Sequence, residues 1–456
     1  MLNAYNLQLS ISLRRIVFSL ACASLLLLAA GPAVAAPVRR SVPWPQSDPF
    51  YTPPSGYESS APGTILRTRL IPSPLAGIFS QTENVANAWQ ILYRTTDALG
   101  NAIATVTTLI EPHNATPTKV LSYQIAEDSA AEQCAPSYTL QSGAGGTSSS
   151  LDLMMMDAAL NQGWYVTTPD YEGPNSVFTC GPTSGQGVLD SIRAVLASTS
   201  VTGLQPTAGV VLWGYSGGAL ATGWAAELQP TYAPELKLLG AAMGGTPSDL
   251  NATVNAVNKG PFAGLIPAGF LGLSQQYPDL NTYIQSQLIP SKAAAFNNAS
   301  KQCLGADSTQ FANQDIFSYF NPNFMNGAPA STALANNKMG NYVPKIPLWM
   351  YHAIHDEVVP FAPTQALVSK YCSEGANIQF TQDELSEHII LDITGAADAF
   401  TWLKARLSET PLAAGCTTRT TASEILDPGA VLVFGSIIFN GLTDLLGEPI
   451  GPTSIS

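Results

Sequence analysis

The chain has 456 residues, too many for one compact core of average size and enough for one large domain with an insertion or for two domains. Apolar residues make up 46% of it, which excludes wholesale disorder. Lys+Arg 19 against Asp+Glu 32 leave a net charge of −13, which excludes charge-driven binding to nucleic acid or to an anionic membrane.

Residues 1–35 read as a secretory signal peptide. Arg14 and Arg15 form the basic start, 16–30 is an apolar run too short to span a bilayer, and Ala33-Val34-Ala35 is a small-x-small cleavage pattern. Cleavage removes two arginines and no acid, so −13 becomes −15 and an extracellular protein is expected. Arg39-Arg40 is a candidate second processing point. Six cysteines become five: Cys134, Cys180, Cys303, Cys372 and Cys416. Two disulfides and one odd thiol are expected of an exported chain, with the pairing left open by spacing alone. Asn114, Asn251 and Asn298 begin N-x-S/T sequons and are candidate glycosylation sites. No Cys-x-x-Cys or His-rich cluster suggests a metal.

The β-formers of 89–96 and 102–110 flank Asp97-Ala-Leu-Gly-Asn101 and predict a hairpin. Apolar runs at 119–125, 164–168, 209–213, 236–242 and 346–353 then predict strands, with a further strand at 377–381. Helices are predicted at 150–161, 187–198 and 218–228. Continuous apolar strands between helices mean a parallel sheet covered on both faces, an α/β fold.

Gly214-Tyr-Ser216-Gly-Gly218 lies between an apolar strand and an Ala-rich helix. A serine hydroxyl is a weak nucleophile that must stand exposed beside a base, and a sharp strand-to-helix turn between small residues achieves this. The N–H of Gly217 at the helix start can then stabilise an oxyanion. On this fold an acid and then a histidine follow the serine. Asp356, just beyond the strand 346–353, is the candidate acid, ahead of its neighbour Glu357. His388 is the one histidine downstream of it and the candidate base. His113, His352 and His355 are read as structural.

From Ser216 to Asp356 is 140 residues, although two βα units need roughly 60. The excess, at about 246–345, is read as an inserted helical cap whose Phe262, Leu265, Ile266, Phe270, Leu271 and Leu273 cover an acyl-binding cleft. The expected organisation is signal peptide 1–35, core 36–245, cap 246–345, core 346–410 and C-terminal flap 411–456. The apolar run 430–439 is too short to cross a membrane.

The run from Gly214 to Leu236 closely resembles the secretory lipases of fungi. So do Gly244-Gly-Thr-Pro247, Gly260-Pro-Phe-Ala-Gly264, Glu127-Asp-Ser129 with Cys134-Ala-Pro-Ser-Tyr138, and His352-Ala-Ile-His-Asp356. The likeness extends from about residue 45 to the C-terminus. It implies an α/β-hydrolase core with an inserted helical lid and a C-terminal flap. It also implies triacylglycerol lipase and esterase activity, with Ser216, Asp356 and His388 as the triad. Asp128 matches the second oxyanion-hole residue beside Gly217, acting through its backbone N–H or as a protonated acid. Disulfides Cys134–Cys303 and Cys372–Cys416, with Cys180 free, are implied by the same resemblance.

The expected chemistry is two-step acyl transfer from a lipid ester to water or an alcohol, with no metal or cofactor. The expected surroundings are a lipid–water interface and a monomeric protein without a membrane span. A serine peptidase on the same fold and a non-catalytic binding protein are the competing expectations.

Overall fold

The computed structural model describes residues 42–77, 81–144, 147–427 and 429–452. The expected signal peptide 1–35 and Arg39-Arg40 lie outside them. One sheet contains ten strands in the order β1-β2-β3-β5-β4-β6-β7-β8-β9-β10. They are β1 (Ile65–Leu70), β2 (Asn87–Thr96), β3 (Ala102–Glu111), β4 (Lys119–Gln124), β5 (Tyr165–Pro169), β6 (Gly209–Tyr215), β7 (Leu238–Gly244), β8 (Leu348–Ala353), β9 (Ile378–Asp383) and β10 (Thr417–Thr421). Pairing is antiparallel from β1 through β3 to β5 and parallel from β5 to β10. The β2–β3 hairpin closes where Asp97 accepts the N–H groups of Leu99 and Asn101 and Gly100 takes φ 85°.

Strands β6 and β7 carry only apolar residues and glycine because both of their faces are covered. On β6, Val210 and Leu212 enter one cluster with Val188 and Leu220, from helices Gly181–Ala197 and Gly217–Tyr232. Val211 and Trp213 point the other way, to Leu153 and Leu403 from helices Thr147–Leu160 and Ala396–Leu407. A strand buried on both sides has no solvent-facing row of polar residues, and the buried Ser122 and Gln124 of β4 hydrogen-bond to each other.

Between β7 and β8 the chain forms six helices of eight residues or more: Leu250–Val257, Leu265–Gln276, Pro278–Gln287, Pro290–Asn297, Leu304–Phe311 and Ala328–Asn336. Pro278 and Pro290 sit at helix starts, where a missing N–H costs nothing. Phe270, Ile284, Phe296 and Phe311 join the same apolar cluster as Val210, so these helices share the main core. Disulfide Cys134–Cys303 ties them to the segment after β4, and Cys372–Cys416 ties helix Phe361–Ser373 to the start of β10.

Helix Gly181–Ala197 begins earlier than periodicity suggests, because Pro182 initiates it. β1 and β10 were not anticipated. β10 is Thr-Thr-Arg-Thr-Thr, mostly exposed at the sheet edge, where β-branched residues pair without an apolar face. Residues 411–456, expected as a flap, thus supply the last strand of the sheet and then helix Ala430–Leu445.

Candidate active site

Ser216 caps the helix Gly217–Tyr232 directly after β6, with φ 51° and ψ −120°. Such a backbone costs on the order of 1–3 kcal/mol and persists only where neighbours enforce it. The two glycines of the motif follow from this turn. A Cβ on Gly214 would lie 2.2 Å from the carbonyl oxygen of Gly218, and one on Gly218 would lie 2.0 Å from that of Gln124. The N–H of Ser216 donates to Gly244 O at the end of β7.

The Ser216 hydroxyl donates to His388 Nε2 at 2.9 Å, and His388 Nδ1 donates to Asp356 Oδ2 at 2.7 Å. These roles assign the imidazole proton to Nδ1 from the network of partners. Asp356 Oδ1 accepts the N–H groups of Val358 and Val359 at 2.9 and 2.6 Å. The loop after β8 therefore holds the carboxylate independently of the imidazole. Glu357 faces another way: its Oε2 accepts the backbone N–H of His388 at 2.7 Å. Tyr215, next to the serine, donates its hydroxyl to His388 O at 2.7 Å and packs its ring at 5.1 Å from the imidazole. Gly245 leaves room for that ring, since a Cβ there would sit 2.8 Å from His388 Cε1.

His352 is buried, donates Nε2 to Val359 O at 3.0 Å, and lies 3.3 Å from Asp356 Oδ2. Burial pushes its pKa down against the pull of Asp356, so it braces the acid as a neutral ring. His113 meets Asn84 at 3.1 Å, and His355 is exposed. Tyr215, Glu357 and His352 as supports of the imidazole and the acid were not foreseen. Nothing in a sequence shows that residue 215 lies against residue 388.

Burial by itself pushes the His388 imidazolium down, but the hydrogen bond and charge of Asp356, with Glu357 and Asp392, lift it above the ordinary value. Burial would raise Asp356, yet His388, His352 and the Val359 N–H together hold it below the carboxylate norm. Asp128 runs the other way. Burial pushes it up to about 6, against the opposing charge of His388. It has φ 48°, and its Oδ1 lies so close to Gly217 that a Cβ there would be 1.9 Å away.

Ser216, Gly217 and Asp128 open onto a cleft walled by Leu250, Val254, Leu265, Phe270 and Leu273 from the helices after β7. Its free space is about 50 Å³, far below the ~300–1,000 Å³ of ligand pockets. Among the described residues no group of three or more His, Cys, Asp or Glu could hold a metal, and no helix is long and apolar enough to cross a membrane.

A family model described as secretory lipase matches residues 139–415, more than half of the chain. Lipase A of Arthroderma benhamiae is 44% identical over 91% of this chain and 91% of its own length. The chain belongs to the secretory lipase family. Lipase 1 of Candida albicans is 41% identical over 90% of each chain. The crystal structure of Candida antarctica lipase A in its closed state superimposes with a TM-score of 0.79 at 33% identity, covering 91% of this chain and 99% of that one. The protein is thus a lipase-type carboxylic ester hydrolase on an α/β-hydrolase fold.

In this secretory lipase the side chains of Asn114, Asn251 and Asn298 all belong to exposed residues. Cys180 is buried and unbridged, and burial pushes its thiol up to about 11, which makes it inert. Near Asp128 the lipase also buries Glu127, Asp170 and Glu172. Burial pushes Asp170 up to about 7 and Glu127 and Glu172 well above the ordinary range. A carboxyl with a raised folded pKa binds more protons folded than unfolded. Its stabilisation is complete below the unfolded value of about 4 and is lost as pH rises through the raised folded value, about 7 for Asp170. His352, kept neutral by burial, opposes this below about pH 6.5, but it is one group against several. The melting temperature is therefore expected to be higher at pH 5 than at pH 8, and Glu172→Gln to flatten the difference. Thermal unfolding across that range checks it, and a rise toward pH 8 would overturn it.

Proposed function

We propose that the protein is a secreted serine ester hydrolase that cleaves lipid esters through an acyl-enzyme, with Ser216, His388 and Asp356 as its triad. The observation that carries this reading is the unbroken hydrogen-bond chain from Ser216 through His388 to Asp356 at the mouth of an apolar cleft.

His388 Nε2 takes the hydroxyl proton as Ser216 Oγ attacks the ester carbonyl. Asp356 stabilises the imidazolium that forms, and His388 returns the proton to the leaving alcohol. Water, or an acceptor alcohol, then repeats the sequence on the acyl-enzyme. The oxyanion is met by the Gly217 N–H at the start of a buried helix and by Asp128. An ionised carboxylate would repel it, so Asp128 acts as the neutral acid, donating an O–H. Burial lifts its pKa to about 6, so the neutral form prevails below that pH, and its buried Oδ1 has no hydrogen-bond partner among the described residues. An acyl chain needs more than about 50 Å³, so the helices Leu250–Val257 and Leu265–Gln276 act as a lid that shifts on binding.

Rates on p-nitrophenyl esters of increasing acyl length, set beside a peptide p-nitroanilide, test the substrate class. Rising kcat/KM with chain length and no measurable anilide cleavage are expected. Anilide cleavage within about tenfold of the ester rate would make the protein a peptidase instead.

A further inference from the structure

Helix Ala430–Leu445 is apolar around most of its circumference. Ala430, Val433 and Ile437 recur at helical spacing; Ala430 and Ile437 are buried, and Ile437 and Val433 join the apolar cluster beneath helices Thr147–Leu160 and Ala396–Leu407. The opposite stripe carries Val431, Leu432, Ile438 and Phe439, of which Leu432 is 80% and Phe439 65% exposed. Leu426 before the helix and Leu446 after it are exposed as well. A helix packed on one side ordinarily turns a polar face to water, so an apolar outer stripe marks a surface with a partner.

This surface is linked to the candidate active site. The N–H groups of Glu384 and Leu385 donate to Thr421 O and Ala422 O, both at 3.0 Å, and the N–H of Glu424 donates to Asp383 Oδ2 at 2.8 Å. Helix His388–Thr394 packs on the turn Glu424–Leu426, and that turn packs on helix Ala430–Leu445. Leu385 and Ile389, on either side of His388, are themselves exposed apolar residues.

We propose that the outer stripe of helix Ala430–Leu445 docks the enzyme on an uncharged lipid surface, an ester droplet in water, with Leu432 and Phe439 entering the apolar phase. The proposal rests on the lipid-ester reading of the active site and names the partner that reading requires. No lysine or arginine occurs after Arg419 in this sequence, so the stripe itself carries no cation for anionic headgroups. A second copy is disfavoured by the net charge of −13 on each chain and by size, since a stable protein interface takes about 20 residues a side. A fluid lipid surface takes in separate apolar side chains without needing a complementary shape.

The test is flotation of the purified protein with a triolein emulsion, with dioleoylphosphatidylcholine vesicles and with dioleoylphosphatidylglycerol vesicles. Leu432→Gln and Phe439→Gln keep helix propensity and alter exposed side chains only, so unchanged thermal unfolding is expected. Each is expected to lower partitioning to triolein about tenfold, and the pair on the order of 100-fold. Hydrolysis of a soluble short-chain ester is expected to stay within about twofold of the parent. Binding to the anionic vesicles should not exceed that to the zwitterionic ones. Unchanged partitioning of the double variant would overturn the proposal. So would a dimer, seen by sedimentation velocity, that the double variant loses while still partitioning. A parent protein that floats with triolein but hydrolyses no soluble ester would sink the hydrolase reading and leave the docking surface standing.

Discussion

Replacing Ser216 with alanine is expected to lower kcat for ester hydrolysis by about 10⁴- to 10⁶-fold while the protein stays folded. Only the hydroxyl is removed, and among the described residues its one side-chain hydrogen bond is the 2.9 Å contact to His388 Nε2. Tyr215, Glu357 and Asp356 hold the imidazole independently of the serine, so the base should keep its place. The residual rate would come from the oxyanion donors acting on bound ester. An organophosphonate ester should label the parent protein covalently and leave Ser216→Ala unlabelled. Activity retained within tenfold, or labelling that survives the substitution, would remove Ser216 from its role.

Asp356→Asn is expected to cost about 10⁴-fold in kcat, for a reason of proton placement rather than packing. The two carboxylate oxygens serve different donors. Oδ1 accepts two backbone N–H groups, from Val358 and Val359, and Oδ2 accepts His388 Nδ1–H. An asparagine has one oxygen. The two valine N–H groups draw that oxygen to the Oδ1 position, which turns the amide N–H₂ toward Nδ1. The imidazole must then accept there and carry its proton on Nε2, facing Ser216, where it cannot take the hydroxyl proton. The loss should fall on kcat, with KM and melting temperature near those of the parent. Kinetics on a soluble ester measure it, and a loss confined to KM would contradict the orienting role.

The parallel core was legible because β4, β6, β7 and β8 are covered on both faces and therefore read as largely apolar runs, broken only by Lys119, Ser122 and Gln124 on β4 and His352 on β8. β1 and β10 were not legible. Ile65–Leu70 is interrupted by Arg67-Thr68-Arg69, and Thr417–Thr421 has no apolar face at all. Both are edge strands whose place is set by the neighbour that pairs with them. The candidate site divides in the same way. Gly214, Ser216 and Gly218 lie within five consecutive residues, so one turn states their geometry in the sequence itself. Asp356 and His388 could be chosen by chain order and by the scarcity of histidines.

The amino-acid sequence by itself determined the α/β class, the turn that exposes Ser216 and which residue types are available to activate it, because each of these depends on neighbours along the chain. Only the tertiary structure decided how the candidate acid and base are held. His388 is fixed by Tyr215 and Glu357, Asp356 by Val358 and Val359 with His352 alongside, and Asp128 is driven toward its neutral form at the rim of the cleft. Those outcomes depend on burial and on contacts across up to 173 residues of chain, and desolvation acts on a group only once the fold has taken it out of water.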